Sequence, residues 1–275
     1  MFQMEANDSS GAYFPRLSAV CGFLMLSAFS NAAENDLREM STDRPDTTES
    51  PITVDAGHLQ IESSLFDYSL DDEGGIRQEI FTYGALNLKF GLTSQTDLQL
   101  VFDSFTSART HDKTTGVSTT VEGFSDVQAR FKFNVWGNDG GSSALAIFPF
   151  VKIPTGTAVS NRVVEGGVIV PFAMDLTDRL GLGLMAEADF VRSGPGADVD
   201  TEFVHTAVLG IDITNSFGAF VEYVGTAGNF AYQAQAIGGL TYSVTDDLRL
   251  DGGLRIGLND AAEDFGAFFG ASVRF

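Results

Sequence analysis

The sequence predicts an all-β protein: a transmembrane antiparallel up-and-down β-barrel of about 12 strands, of the kind that crosses a bacterial outer membrane. Three observations predict it. Apolar and polar side chains alternate with a period of two along much of the chain. Beyond the N-terminus, apolar runs fall short of a membrane helix. Thirty glycines and 24 phenylalanines against seven prolines and one tryptophan suit long strands with aromatic faces.

Residues 1–32 read as a cleaved signal peptide. Arg16 precedes the apolar run from Leu17 to Phe29, and Ser30-Asn31-Ala32 supplies a small-x-small cleavage site. Glu5 and Asp8 ahead of the run are atypical and leave initiation at Met4 or another start open. The alternative, a short membrane anchor, fits less well because the run is too short to span a bilayer comfortably. Cys21, the single cysteine, lies inside this run, so the mature chain is expected to lack thiols, disulfides and thiolate metal sites.

Residues 33–56 are polar and acidic, contain Pro45 and Pro51, and show no sustained period. They read as an extended segment that either hangs in the periplasm or folds inward as a plug, with Asp43, Arg44, Pro45 and Asp46 as plug candidates. Residues 57–275 are assigned to the barrel. Strand-like segments begin near His58, Glu79, Asp97, Asp126, Ser142, Val163, Arg179, Glu202, Ser216, Phe230 and Leu248, with a last one closing the chain. The clearest is Asp126 to Val135, where Val127, Ala129, Phe131, Phe133 and Val135 alternate with Asp126, Gln128, Arg130, Lys132 and Asn134. Leu248 to Leu258 and Phe265 to Phe275 repeat the pattern.

Tight turns are expected at Thr93–Thr96, Gly137–Gly141, Asp175–Arg179, Thr214–Ser216 and Thr245–Asp247, and long loops at Ser107–Thr120 and Ser193–Asp200. The short set belongs to the periplasmic side and the long set to the outside. The glycines of Gly181-Leu182-Gly183 and Gly252-Gly253 follow no phosphate-loop spacing; inside strands they relieve curvature or make room in the barrel.

A closed sheet in lipid needs apolar side chains outside, so the polar face belongs to the lumen. That face carries Asp126, Glu165, Glu187, Asp189, Asp212, Glu222, Asp247 and Asp251 against Arg130, Lys132, Lys152, Arg249, Arg255 and Arg274. The whole chain has 37 acidic and 16 basic residues, so most of the acid excess must sit in loops, turns and the N-terminal segment. Solvated surface charge is the plain reading, with divalent-cation binding at a lipopolysaccharide-rich surface or adaptation to salt as alternatives. Nucleic acid is disfavoured as a partner.

His58, His111 and His205 are widely spaced and form no metal motif, so no metal, cofactor or catalytic site is expected. His205 falls on the apolar side of a strand with Phe203, Ala207 and Leu209, a membrane-interface position. An outer-wall hydrolase would need a serine, a histidine and an orienting group together, and no such trio is evident.

Ser41-Thr42-Asp43-Arg44-Pro45-Asp46-Thr47-Thr48-Glu49-Ser50-Pro51, with Val54, Gly57, His58 and Gln60-Ile61-Glu62, resembles the N-terminal signature of a family of outer-membrane transporters associated with the meta pathway of phenol degradation. Gly123 to Asp126 leading into Lys132-Phe133-Asn134 extends the match. So do Phe150-Val151-Lys152-Ile153-Pro154-Thr155-Gly156, and Asp246 to Gly253 running to Val273-Arg274-Phe275. The resemblance covers nearly the whole mature chain. It implies an outer-membrane barrel that moves small, aromatic compounds among them. The terminal Phe275 also resembles a C-terminal signal read by the barrel assembly machinery.

The expected function is therefore a non-enzymatic, porin-like channel in the outer membrane of a Gram-negative bacterium, for passive uptake of small solutes, aromatic or hydrophobic compounds among them. Its pore-lining candidates are Asp126, Arg130, Lys132, Lys152, Glu165, Glu187, Asp189, Glu222, Arg249, Asp251 and Arg255. The expected partners are outer-membrane lipid and lipopolysaccharide, the assembly machinery and the solute. The alternative is a closed barrel serving as a surface scaffold or membrane-integrity protein. A lumen filled by paired charges, Phe148 and Phe150 would favour that alternative, and a continuous water path with unpaired charges the channel.

Overall fold

The computed structural model describes residues 37–192 and 194–275; the signal-peptide assignment and Cys21 lie outside the described residues. Thirteen β-strands follow residues 37–56 in chain order. They are β1 (Leu59–Glu73), β2 (Ile76–Thr93), β3 (Thr96–Asp112), β4 (Ser118–Gly123), β5 (Val127–Trp136), β6 (Ser143–Ile153), β7 (Glu165–Thr177), β8 (Leu180–Val191), β9 (Asp200–Asp212), β10 (Phe217–Ala227), β11 (Gln233–Thr245), β12 (Leu248–Gly257) and β13 (Phe265–Arg274). Each pairs antiparallel with its neighbour, and β1 pairs with β13, so the sheet closes and leaves no edge in the membrane.

The barrel has twelve staves because β4 and β5 share one: β3 pairs with β4 through Thr106–His111 and with β5 through Thr96–Val101. Phe124–Asp126 between them bulge out of the ladder. The loop after β6 clasps this bulge: the Phe124 N–H donates to Thr157 Oγ1 at 2.9 Å, the Gly156 N–H to Asp126 Oδ1 at 2.8 Å, and the Val127 N–H to Thr155 Oγ1 at 3.0 Å. Only glycine fits at 156, where a Cβ would lie 2.8 Å from the Phe124 carbonyl oxygen. Two stretches that carry the family resemblance, Gly123–Asp126 and Lys152–Gly156, thus meet at one joint.

Face assignment follows the pleat. On β5, Phe131 and Phe133 are each 42% exposed, whereas Lys132 and Asn134 are fully enclosed. Exposed apolar side chains continue around the outer wall with Leu98, Val151, Leu184, Val221, Leu254 and Phe269.

The expected turns are present, and the residues around Asp175–Arg179 tighten to the connection between Thr177 and Leu180. The expected long loop Ser107–Thr120 is corrected: β3 runs on to Asp112 and β4 starts at Ser118, leaving a short connection. Its serines and threonines read as loop because all of β4 but its last residue is solvent-exposed, where no apolar face is required. Asp212 and Asp247 are corrected too: Asp212 is exposed at the turn end of β9, and Asp247 sits in the β11–β12 turn with its side chain 48% exposed. Neither lies on the enclosed wall.

Candidate functional site

The interior is mixed, a feature that alternation alone does not reveal. The wall formed by β1, β2, β3 and β5 is charged, with Glu62, Lys89, Asp97, Gln99 and Lys132 all buried. The wall from β6 to β13 carries two apolar patches among charged side chains that include Glu222, Asp251, Arg255 and Arg274. Ala146, Phe148, Ile169 and Met185 form one buried cluster, and Val208, Phe220, Val224, Ile237 and Phe268 another. Lys132 joins the charged wall to the first patch, its ammonium 4.3 Å from the Phe148 ring centroid.

Residues 37–56 lie inside the turn-end half of this lumen. Their backbone makes no ladder, so its polar groups are satisfied by wall side chains. The Asp43 N–H donates to both Glu62 carboxylate oxygens at 3.1 and 3.0 Å, and those of Thr47 and Thr48 donate to Glu222 at 2.8 and 2.7 Å. The Val54 N–H donates to Asp97 at 3.1 Å, and Asn134 donates to the Pro51 carbonyl at 2.8 Å.

Ion pairs reinforce this. Asp43 lies between Lys89 at 2.6 Å and Lys132 at 3.0 Å, and Arg44 reaches Asp251 at 2.6 Å and also Ser64. Glu49 pairs with Arg130, and Asp55 with Arg38 at 2.7 Å and Arg274 at 3.2 Å. The segment fits because the wall is bare where it passes: a Cβ on Gly270 would collide with the Arg44 guanidinium and one on Gly91 with the Asp55 carbonyl.

Burial alone would raise the Asp43 carboxyl, but Lys132 and Lys89 hold it well below the usual carboxylate range. Burial pushes Glu49 up to about 7 even though Arg130 opposes it. Burial, and then Glu222, hold Asp46 well above its ordinary value.

The loop-end half is less filled. Arg255 bridges Asp67 at 2.6 Å and Glu263 at 2.7 Å, and Lys152 pairs with Glu165 and stands 3.5 Å from Asp126. A cavity of about 400 Å³ there is lined by Phe102, Asp103, Gln128, Lys152 and Asn161 among others.

Of the candidates named from sequence, Lys132, Glu222, Asp251, Arg130 and Arg249 touch residues 37–56, and Arg255, Lys152, Glu165 and Asp126 form the loop-end network. Glu187 and Asp189 stand together on β8, and one Asp189 oxygen is buried without a partner. Pro45 and Asp46 face a cavity against β7–β12. Alternation missed Glu62, Lys89, Asp97 and Asn138, which grip the segment; the signal was the polar residues at every second position, Gln60, Glu62 and Ser64, in β1. On the outer wall, His205 Nε2 lies 2.9 Å from the Tyr232 hydroxyl, which in turn meets Tyr223 at 2.6 Å, while Thr206 points inward to Thr48.

Solved structures of outer-membrane barrels share the fold. The COG4313 outer membrane channel from Pseudomonas putida F1 aligns with TM-score 0.64 at 13% identity, covering 86% of this chain and all of that one. The NanC porin aligns with TM-score 0.50 at 11% identity, covering 78% of this chain and 98% of that one. No curated protein matches the sequence. A family model matches residues 42–275, from the segment in the lumen to the terminal strand, and the chain therefore belongs to the family described as "Putative MetA-pathway of phenol degradation".

Proposed function

We propose that this barrel is an outer-membrane channel for passive movement of small amphipathic solutes, and that residues 37–56 form the constriction that governs it. The carrying observation is the chemistry of the obstruction. The turn-end half of the lumen is occupied by a segment that leads into β1 and is held by ion pairs and hydrogen bonds to Glu62, Lys89, Lys132, Glu222 and Asp251. Water can replace such contacts as they break, whereas a wall-to-wall apolar seal would have to be unpacked. The mixed lumen suits the solute class: charged side chains orient a polar group while the apolar patches accept the body.

In this reading the turn end faces the periplasm, the loop end faces outward, and Phe275 serves the assembly machinery. Aromatic compounds remain among the solutes proposed, on the strength of the family.

The closed-scaffold reading draws on two observations of its own: Phe148 is fully enclosed, and most of the lumen's basic side chains are paired. Single-channel recording in planar bilayers decides between them, using the full chain and a form lacking residues 37–56. Steady current that grows on deletion supports the channel. Silence in both forms, with heat-modifiable folding intact, supports the scaffold.

A further inference from the structure

Two cavities share two lining residues. The first, about 330 Å³, lies between Pro45–Ser50 and the inner wall at Ala173, Gly183, Val208 and Phe220. The second, about 520 Å³, lies between residues 38–41 and the turn Gly137–Gly141. Ser41 and Arg249 line both. The first is kept open by missing side chains: a Cβ on Gly181 would meet nothing within 4 Å, and one on Gly210 would meet its nearest atom at 4.0 Å. These glycines make volume, not contact.

Arg249 differs from the other basic side chains of the lumen. Arg44, Arg130, Lys132, Lys152, Arg255 and Arg274 each have a carboxylate partner. Among the described residues Arg249 has none. Its single hydrogen bond runs from Nη1 to the Thr42 hydroxyl at 3.3 Å, and its Nε is enclosed without a partner. A part-buried guanidinium left without a counter-charge is costly and is well shaped to take a carboxylate on two donors at once.

We propose that Arg249 anchors a solute subsite on the conduction path, taking a small organic monocarboxylate whose compact apolar body lies against Ala173, Val208 and Phe220. This rests on the channel reading and names its solute class. One anionic group suits the site better than two, because Asp46 lines the same cavity and Asp175 and Asp212 stand exposed at its rim. Burial, and then Glu222, raise the Asp46 carboxyl above its ordinary value, which lessens its repulsion of a bound anion.

The test uses the full chain purified in detergent, with benzoate, benzylamine and benzyl alcohol as probes in calorimetric titration, and the same probes added during bilayer recording. Benzoate should bind saturably and reduce current, with benzylamine and benzyl alcohol weaker by about tenfold or more, the scale of a charged hydrogen bond. Arg249→Gln should weaken benzoate by a similar factor, and Arg249→Lys should recover part of it. Gly181→Leu, which fills the cavity without touching the charge, should also weaken benzoate and covers the case in which Arg249→Gln fails to fold. Equal benzoate affinity in the wild type, Arg249→Gln and Gly181→Leu, or tighter binding of benzylamine, would overturn the subsite. Benzoate binding without current in any form overturns the channel alone, and steady current indifferent to benzoate overturns the subsite alone.

Discussion

Asp43→Asn is the substitution that most sharply probes the segment in the lumen. The Asp43 carboxylate lies 2.6 Å from the Lys89 ammonium and 3.0 Å from that of Lys132, and both lysines are fully enclosed. The two are not equally dependent on it. Lys89 retains Glu62 at 2.7 Å, whereas Lys132 retains only the Ile52 carbonyl at 3.1 Å and the Phe148 ring. Neutralising Asp43 therefore strands the Lys132 charge. Removing one partner of a buried pair costs about 3–5 kcal/mol, and each ~1.4 kcal/mol is tenfold in an equilibrium. The docked state of residues 37–56 should lose roughly a hundredfold or more relative to a released state in which water reaches Lys132.

Two assays read this: open probability in single-channel recording, and the rate at which protease cuts the chain between Ser41 and Ala56 in the folded barrel. Both should rise in Asp43→Asn, and Asp43→Asn combined with Lys132→Met should reverse much of the rise, because the stranded charge is gone. Unchanged gating and cleavage in the single variant would refute the view that this pair holds the segment.

A lysine at Phe131 places a charge on the lipid face and should cost about 2–4 kcal/mol, seen as a lower temperature for loss of heat-modifiable migration; equal migration would overturn the face assignment. Gly156→Ala drives a Cβ into the Phe124 carbonyl and should destabilise the β4–β5 joint by about 1–3 kcal/mol, lowering the barrel's melting temperature while leaving residues 37–56 docked. Glu49 should make gating depend on pH: a carboxyl raised to about 7 by burial favours the docked state fully below its ordinary value of 4.5. That preference fades as pH rises through about 7, so open probability should climb between pH 5 and 8 and Glu49→Gln should flatten the profile. Arg255→Ala leaves Asp67 and Glu263 unpaired and should shift reversal potential toward cations, measured in a salt gradient.

Much of the barrel was legible because lipid imposes a simple demand on its outer wall. Wherever the inner wall is polar, as on β5 with Arg130, Lys132 and Asn134, the pleat writes both faces into the sequence. Where the inner wall is apolar, the same demand erases the pattern. Phe220 and Val224 face the lumen while Val221 faces lipid, so β10 reads as apolar on both sides. Where a strand is exposed on both faces there is no demand at all, which is why β4 passed for a loop. The candidate site was legible in kind and not in contact. Asp43 and Arg44 stood out as unusual residues, but their partners Lys89, Glu62 and Asp251 come from strands far apart in the chain, and no local period joins them. Arg249 looked like any other lumen charge, since only the fold shows which basic residue lacks a carboxylate.

Residues 37–56 also have a mechanical consequence. A ring of twelve staves enclosing empty space can flatten toward an ellipse at little cost, because each pair of neighbours need only hinge slightly. Here one short segment is tied to β1, β2 and β5 through Asp43, to β12 through Arg44 and to β10 through Thr48. These ties run to opposite sides of the circumference, like spokes to a hub. With the hub in place the cross-section is braced against lateral pressure of the bilayer; without it the same wall would be compliant.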